Sequence, residues 1–305
     1  QVLILLLGFL LLVKGADCFV EGAASLAKKL GIPQLIIGLT IVAMGTSMPE
    51  AAVSITAALH NNAGITIGNV VGSNILNILI ILGITAVITN VAIQKSTLYY
   101  EIPFMTGITI LMMLFGISGS KITLIEGVIF WILFLGFLGY LFVMSKKSKA
   151  PEEEEAKDIP VWKCILFMLI GGIMVVKGSD FAVSGASEIA RFFEMSERFI
   201  GLTIVAFGTS LPELVTSVTA AKKGNVDIAI GNIVGSNIFN ILFVIGTTAL
   251  ICAVPFQSKF MIDTTIAIIS GIVLWLGTIK TKELRRPCGI IMLLIYAAYF
   301  VYLCM

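Results

Sequence analysis

Gly45-Thr46-Ser47-Met48-Pro49-Glu50 places a proline and a carboxylate inside an apolar run, residues 32–59, that is long enough to cross a bilayer. A carboxylate at mid-membrane costs roughly 2.5–3.5 kcal/mol even on the mild insertion scale, so something must compensate it. Pro49 shows how a site could form there. It has no N–H, and its ring presses on the carbonyl four residues back, so the Gly45 C=O loses its helical partner. In lipid such a carbonyl must find protein, water or a cation. Thr46 and Ser47 lie four and three residues before Glu50 and share its helix face. One broken turn thus gathers a carboxylate, two hydroxyls and freed carbonyls, all hard oxygen ligands. Alone, the six residues equally describe a kinked helix whose glutamate pairs with a neighbour.

They are not alone. Gly208-Thr209-Ser210-Leu211-Pro212-Glu213 repeats them 163 positions later. The same offset runs without a gap through the surrounding sequence: residues 38–58 match 201–221 at 15 of 21 positions, and 65–83 match 228–246 at 13 of 19. Upstream, Lys14-Gly15 and Asp17 recur as Lys177-Gly178 and Asp180. This is an internal duplication, and it turns the reading of Glu50 and Glu213 toward a functional ion site.

Of 305 residues, 58% are hydrophobic and 12% charged, with a mean hydropathy of +1.05. Soluble domains carry about 25% charged residues, so the chain reads as an all-α, polytopic membrane protein with the lipid bilayer as its surroundings. No basic cluster points to nucleic acid. The five cysteines lack CxxC spacing and His60 is the only histidine, so zinc, copper, haem and iron–sulfur sites are not expected, nor any other cofactor. The start, Gln1-Val2-Leu3-Ile4, lacks a basic n-region and reads as a first span that has been processed or trimmed, not as a signal peptide.

Breaking the apolar runs at charges and Gly/Pro/Asn clusters predicts ten spans, near 2–26, 32–59, 63–89, 97–117, 122–144, 160–189, 196–221, 226–252, 257–279 and 286–304. They fall into a first five-helix repeat (1–145), a charged linker (146–159) and a second five-helix repeat (160–305). Five is odd, so the second repeat must enter from the opposite side, and inverted repeats with broken helices point to a secondary transporter. Loop charge tests this independently. With Gln1 outside, fourteen Lys and Arg fall on the cytoplasmic side, including Lys28, Lys29, Lys95, Lys146, Lys147, Lys149, Lys157, Lys222, Lys223 and Arg286. Only Lys121, Arg191, Arg198 and Lys259 fall opposite, so both termini are expected outside the cell.

A second duplicated stretch, Gly68-Asn69-Val70-Val71-Gly72-Ser73-Asn74-Ile75-Leu76-Asn77, is echoed as Gly231-Asn232-Ile233-Val234-Gly235-Ser236-Asn237-Ile238-Phe239-Asn240. Its GxxxG faces allow close backbone approach. Asn69, Ser73 and Asn77 form a polar stripe, repeated by Asn232, Ser236 and Asn240. Asn69 and Asn232 read best as polar contacts between helices or at a helix end. Ser73, Asn77, Ser236 and Asn240 read best as ion ligands. Lys14/Asp17, Lys177/Asp180, Glu101, Glu126 and Asp263 read as structural or interfacial charges.

With both motifs present twice, the chain resembles the sodium/calcium exchanger branch of the cation/calcium antiporter superfamily, over essentially its whole length. That resemblance implies ten transmembrane helices with ion sites in a core of helices 2, 3, 7 and 8, and exchange of Na+ for Ca2+ across the plasma membrane. It further implies that Glu50 and Glu213 clasp Ca2+ with the carbonyls of Thr46 and Thr209. Sodium would use the Ala43 and Ala206 carbonyls, the Ser47 and Ser210 hydroxyls, and Ser73 and Ser236, with Asn77 and Asn240 beside the glutamates. Some relatives carry acids at such positions, whereas here 77 and 240 are both Asn. The site charge is then that of two carboxylates, which fits electrogenic exchange of about three Na+ per Ca2+ and disfavours K+ transport. The short linker leaves no room for a calcium-sensing insert, and a monomer needing no protein partner is expected. An H+/Ca2+ antiporter and a cation channel are the competing readings. A hydrolase would need a catalytic His or base, and none lies near Ser47 or Ser210.

Overall fold

The computed structural model describes residues 1–60, 63–147, 159–194 and 206–304. Most of the charged linker expected at 146–159 lies outside them, as do Lys149, Lys157 and Arg198 and the start of the expected seventh span. The described chain is helical throughout: α1 (Val2–Leu30), α2 (Gln34–Thr46 and Met48–Leu59), α3 (Ala63–Ile88), α4 (Thr97–Gly119), α5 (Leu124–Lys147), α6 (Val161–Phe192), α7 (Ala206–Gly208 and Leu211–Lys222), α8 (Val226–Ile251), α9 (Lys259–Ile279) and α10 (Arg286–Cys304). Among the described residues eight helices are long and apolar enough to span a membrane, and the two pieces of α2 together make a ninth. The described part of α7 is too short to span by itself.

Helix ends follow local chemistry. Gly31, at φ 64°, closes α1 by turning into the left-handed region, where its N–H and that of Ile32 return to the Lys28 and Ala27 carbonyls. Lys28 and Lys29 in that last turn complement the negative end of the helix dipole. At the start of α5, Glu126 accepts hydrogen bonds from the backbone N–H and hydroxyl of Thr123, a cap rather than a site.

The two halves run antiparallel, and short strands show it. β1 (Val91–Ala92), just before α4, pairs with β4 (Glu283–Leu284), just after α9. β2 (Lys121–Ile122), just after α4, pairs with β3 (Val254–Pro255), just before α9. The equivalent helices α4 and α9 therefore point opposite ways, and each strand pair is the image of the other under the 163-residue offset to within one residue. The repeat is inverted.

The same relation governs α1 and α6. Gly8, Gly15 and Gly22 recur every seventh residue, as do their counterparts Gly171, Gly178 and Gly185, so each set lies on one helix face. A Cβ on Gly15 would sit 2.9 Å from the Gly171 carbonyl oxygen, and one on Gly171 would sit 2.7 Å from that of Gly15. Gly8 and Gly178 face each other in the same reciprocal way. With lipid outside and no hydrophobic drive between helices, such close backbone contact is what holds them together. The inner layer differs: 94% of the apolar window of α8 is buried, against 17% for α10. Gly231 and Gly235 let α8 press on the Leu35 and Leu39 backbone of α2.

Two charged positions differ from the sequence expectation. Asp17 pairs across helices with Lys223 at 3.1 Å, whereas Asp180 stays with Lys177 at 3.3 Å. Glu101 is only 1% exposed, bonded by the Tyr140 hydroxyl, and so is buried rather than interfacial. The equivalent helix pair is tied similarly, by the Tyr299 hydroxyl donating to Asp263 at 2.9 Å.

Replacing Gly171 by Ala should lower the thermal unfolding temperature of the detergent-purified protein, since the added methyl meets backbone and overpacking costs about 1–3 kcal/mol. Gly107→Ala, where nothing lies within 4 Å, should leave it unchanged or slightly raised.

Candidate functional site

Both glutamates sit in the first turn of a helix that starts inside the bundle. α2 bends by 49° at Ser47, and Glu50 follows Pro49 at the head of Met48–Leu59. Ser210 and Pro212 set Glu213 at the head of Leu211–Lys222, and the two serines share nearly one backbone conformation, φ/ψ −85/7° and −91/3°. Proline is tolerated there because a first-turn N–H has no helical partner anyway. The positive end of each half-helix then faces its own carboxylate. The carbonyl freed by Pro212 is that of Gly208, and it accepts a 2.6 Å hydrogen bond from the Ser179 hydroxyl of α6. In the first repeat the position equivalent to Ser179 is Ala16, which has no hydroxyl to give.

The structure brings the carboxylates together with residues of four helices, α2, α3, α7 and α8. The Ser47 hydroxyl donates to Glu213 Oε1 at 2.8 Å, and the Ser73 hydroxyl to Glu50 Oε1 at 3.2 Å. Ser73 and Ser210 lie 3.2 Å apart, oxygen to oxygen. The Ala43 carbonyl accepts from Ser236 and from Thr46, both at 3.3 Å. Thr46 also donates to Asn232 at 2.9 Å. Thr209 stands at the second break, and Ala206 opens the Ala206–Gly208 turn directly after the undescribed stretch.

Asn69 and Asn232 brace the half-helices. Asn69 Nδ2 donates to the Glu50 carbonyl at 3.2 Å and to Ser54 at 3.0 Å. Asn232 Nδ2 does the same to the Glu213 carbonyl at 3.5 Å and to Ser217 at 2.9 Å. Sequence reasoning missed a second pair, Asn74 and Asn237. Asn77 Nδ2 donates to Asn237 Oδ1 at 2.9 Å, and Asn240 Nδ2 to Asn74 Oδ1 at 3.1 Å. The only hint was that Asn74 and Asn237 are themselves duplicated, three residues before Asn77 and Asn240. A turn of π-helix also opens at each of Asn77 and Asn240, with no sequence signal.

The outcome is a set of oxygens without partners. Glu50 Oε2, Glu213 Oε2, Asn77 Oδ1 and Asn240 Oδ1 are buried and unbonded, and all four residues are 0% exposed. Among the described residues no Lys, Arg or His side chain is buried, so none of them is enclosed with the carboxylates. Buried charge of this kind calls for a cation. A cavity of about 280 Å³ reaches the breaks, lined by Pro49, Gly208 and Thr209 on one side and Ser179, Asp180 and Val183 of α6 on the other. It lies along the half of α6 distant from Lys163. Toward the Lys-rich end, a cavity of about 400 Å³ contains none of the motif residues and is bordered by the Asp17–Lys223 pair.

Residues 1–143 and 163–305 match the family model described as sodium/calcium exchanger protein. The chain is 32% identical to sodium/calcium exchanger MaX1 of Methanosarcina acetivorans, over 99% of this chain and 97% of that one. It is 34% identical to inner membrane protein YrbG of Escherichia coli, over 89% and 88%. Among solved structures it is similar to the sodium-calcium exchanger NCX_Mj soaked with 2.5 mM Na+ and 0.1 mM Ca2+, at 34% identity and TM-score 0.86, covering 100% of this chain and 98% of that one.

Removing a brace takes away its hydrogen bonds to a glutamate carbonyl and to a buried serine hydroxyl, each worth about 0.5–1.5 kcal/mol. Asn232→Ala should therefore lower the unfolding temperature in detergent more than Asn69→Ala, because Asn232 is fully buried and also accepts from Thr46.

Proposed function

The chain belongs to the sodium/calcium exchanger family, and from that premise we propose that it is a secondary-active antiporter exchanging Na+ for Ca2+. The observation that carries this reading is the quartet of unpartnered buried oxygens on Glu50, Glu213, Asn77 and Asn240, with no buried cationic side chain among the described residues to match the carboxylates. Ca2+ takes about 6–8 oxygen ligands, carboxylates among them. Two carboxylates, two amide oxygens and the Thr46 and Thr209 carbonyls supply that chemistry. Na+ is served by the flanking oxygens of Ala43, Ala206, Ser47, Ser210, Ser73 and Ser236; all of these but Ala206 hydrogen-bond to one another or to the glutamates when no ion is held.

Both glutamates are needed by one Ca2+ and by the Na+ ions that replace it, so the two cargoes compete for one set of charges. That competition is what couples antiport. With two negative charges at the site, the calcium-loaded carrier crosses neutral, and about three Na+ give it one positive charge. The amides at 77 and 240 add no charge for K+ to balance, so transport is K+-independent. The cavity at Pro49, Gly208 and Thr209 supports a site open toward the end opposite the lysines, which the positive-inside rule makes the cell exterior. In this reading the chain is a multi-pass monomer of the plasma membrane with both termini outside. α1 and α6, locked by their glycine seam, slide as one body past the core to expose the site to the other side.

Glu50→Gln and Glu213→Gln should each abolish calcium exchange in reconstituted vesicles while the purified protein stays monodisperse. Near wild-type exchange by either variant would remove the site assignment.

Electrogenicity is tested by calcium uptake into sodium-loaded vesicles under an imposed diffusion potential. One charge moved through 100 mV is worth about 2.3 kcal/mol, roughly a 50-fold bias in the exchange equilibrium. An inside-negative potential should hold sodium in and oppose calcium uptake, and reversing the sign should promote it. Uptake indifferent to the potential would mean about two Na+ or two H+ per Ca2+, and a pH gradient replacing the sodium gradient would separate those two.

A further inference from the structure

Four asparagines form a hydrogen-bonded network where the two repeats meet. Asn74 Nδ2 donates to the Asn237 backbone carbonyl, and Asn237 Nδ2 to the Asn74 backbone carbonyl, each at 3.2 Å. With both amino groups committed, Asn74 Oδ1 and Asn237 Oδ1 are left as acceptors, and each takes the amino group of an asparagine on the opposite helix. Asn240 donates to the first at 3.1 Å and Asn77 to the second at 2.9 Å. Only then do Asn77 Oδ1 and Asn240 Oδ1 remain, buried and unpartnered, on turns packed against the half-helices that carry Glu213 and Glu50.

The two ends of an amide side chain are nearly the same size, so packing alone does not decide which one is left free. Hydrogen bonding does. If Asn77 were turned over, its oxygen would meet the oxygen of Asn237 and its amino group would point at a cation. Building on the ion site proposed above, we propose that Asn74 and Asn237 are positioning residues, which set the oxygens of Asn240 and Asn77 toward the transported ion. The relation is crossed: Asn237 acts on Asn77 and Asn74 acts on Asn240. It also favours amides at 77 and 240, because an ionised carboxylate there has no hydrogen to donate and would set two acceptor oxygens against each other. The network thereby helps to hold the site at two negative charges.

A double-mutant cycle on calcium uptake by the full-length carrier in vesicles separates positioning from general support of the fold. Asn77→Ala and Asn237→Ala should each raise the KM for calcium by about tenfold, the equivalent of about 1.4 kcal/mol. The double variant should match Asn77→Ala alone, since an absent side chain cannot be mispositioned. Asn237→Ala combined with Asn240→Ala should instead multiply the two effects. The mirror cycle, Asn74→Ala with Asn240→Ala, tests the same relation if Asn237→Ala does not yield a folded carrier. Multiplying effects within a crossed pair would overturn the proposal, and so would an Asn237→Ala variant with a lowered unfolding temperature and an unchanged KM. Retained transport by Glu50→Gln would instead overturn the underlying site, so the two failures are distinct.

Discussion

The carboxylates of Glu50 and Glu213, buried together in a membrane protein with no basic side chain buried beside them among the described residues, set the terms for the rest of the molecule. Leaving such charge uncompensated is too costly to persist, and on the function proposed above it is met by an ion that comes and goes. Each carboxylate stands at the positive end of a half-helix, placed there by a proline. Serines from the opposite repeat or the next helix hold one oxygen of each, and the second oxygen is left open. A resident lysine would satisfy the charge permanently, and a carrier could not then release its cargo.

Inversion of the repeat makes this economical. One helix pair supplies one carboxylate and one amide oxygen, and its inverted copy supplies the other two. The strand pairs at opposite ends of α4 and α9 and the reciprocal glycines of α1 and α6 express the same two-fold relation far from the site. The symmetry is not complete, and its departures have chemical causes. Ser179 satisfies the carbonyl freed in the second repeat, where the first repeat has Ala16. Lys223 reaches Asp17, while the position equivalent to Lys223 is His60. Among the described residues, a cavity reaches the breaks beside α6, whereas the cavity bordered by Asp17 and Lys223 holds none of the motif residues.

Much was legible in the chain itself. Hydropathy and the duplication at a constant offset determined a helical membrane protein of two repeats, and an odd number of spans per repeat required that they be inverted. Pro49 and Pro212 located the breaks because a missing N–H is a property of the residue, not of its surroundings. The glutamates stood out because charge in an apolar run always needs a reason. Tertiary structure decided the rest, since it depended on which groups meet across helices distant in sequence. It separated Asn74 and Asn237, which bond other asparagines, from Asn77 and Asn240, whose oxygens are left over, although all four have the same side chain. It drew Asp17 away from its near neighbour Lys14 to Lys223, and it buried Glu101 against Tyr140. A side chain's chemistry is written in the sequence, but whether its hydrogen-bonding capacity is spent or spare depends on the neighbours that folding brings.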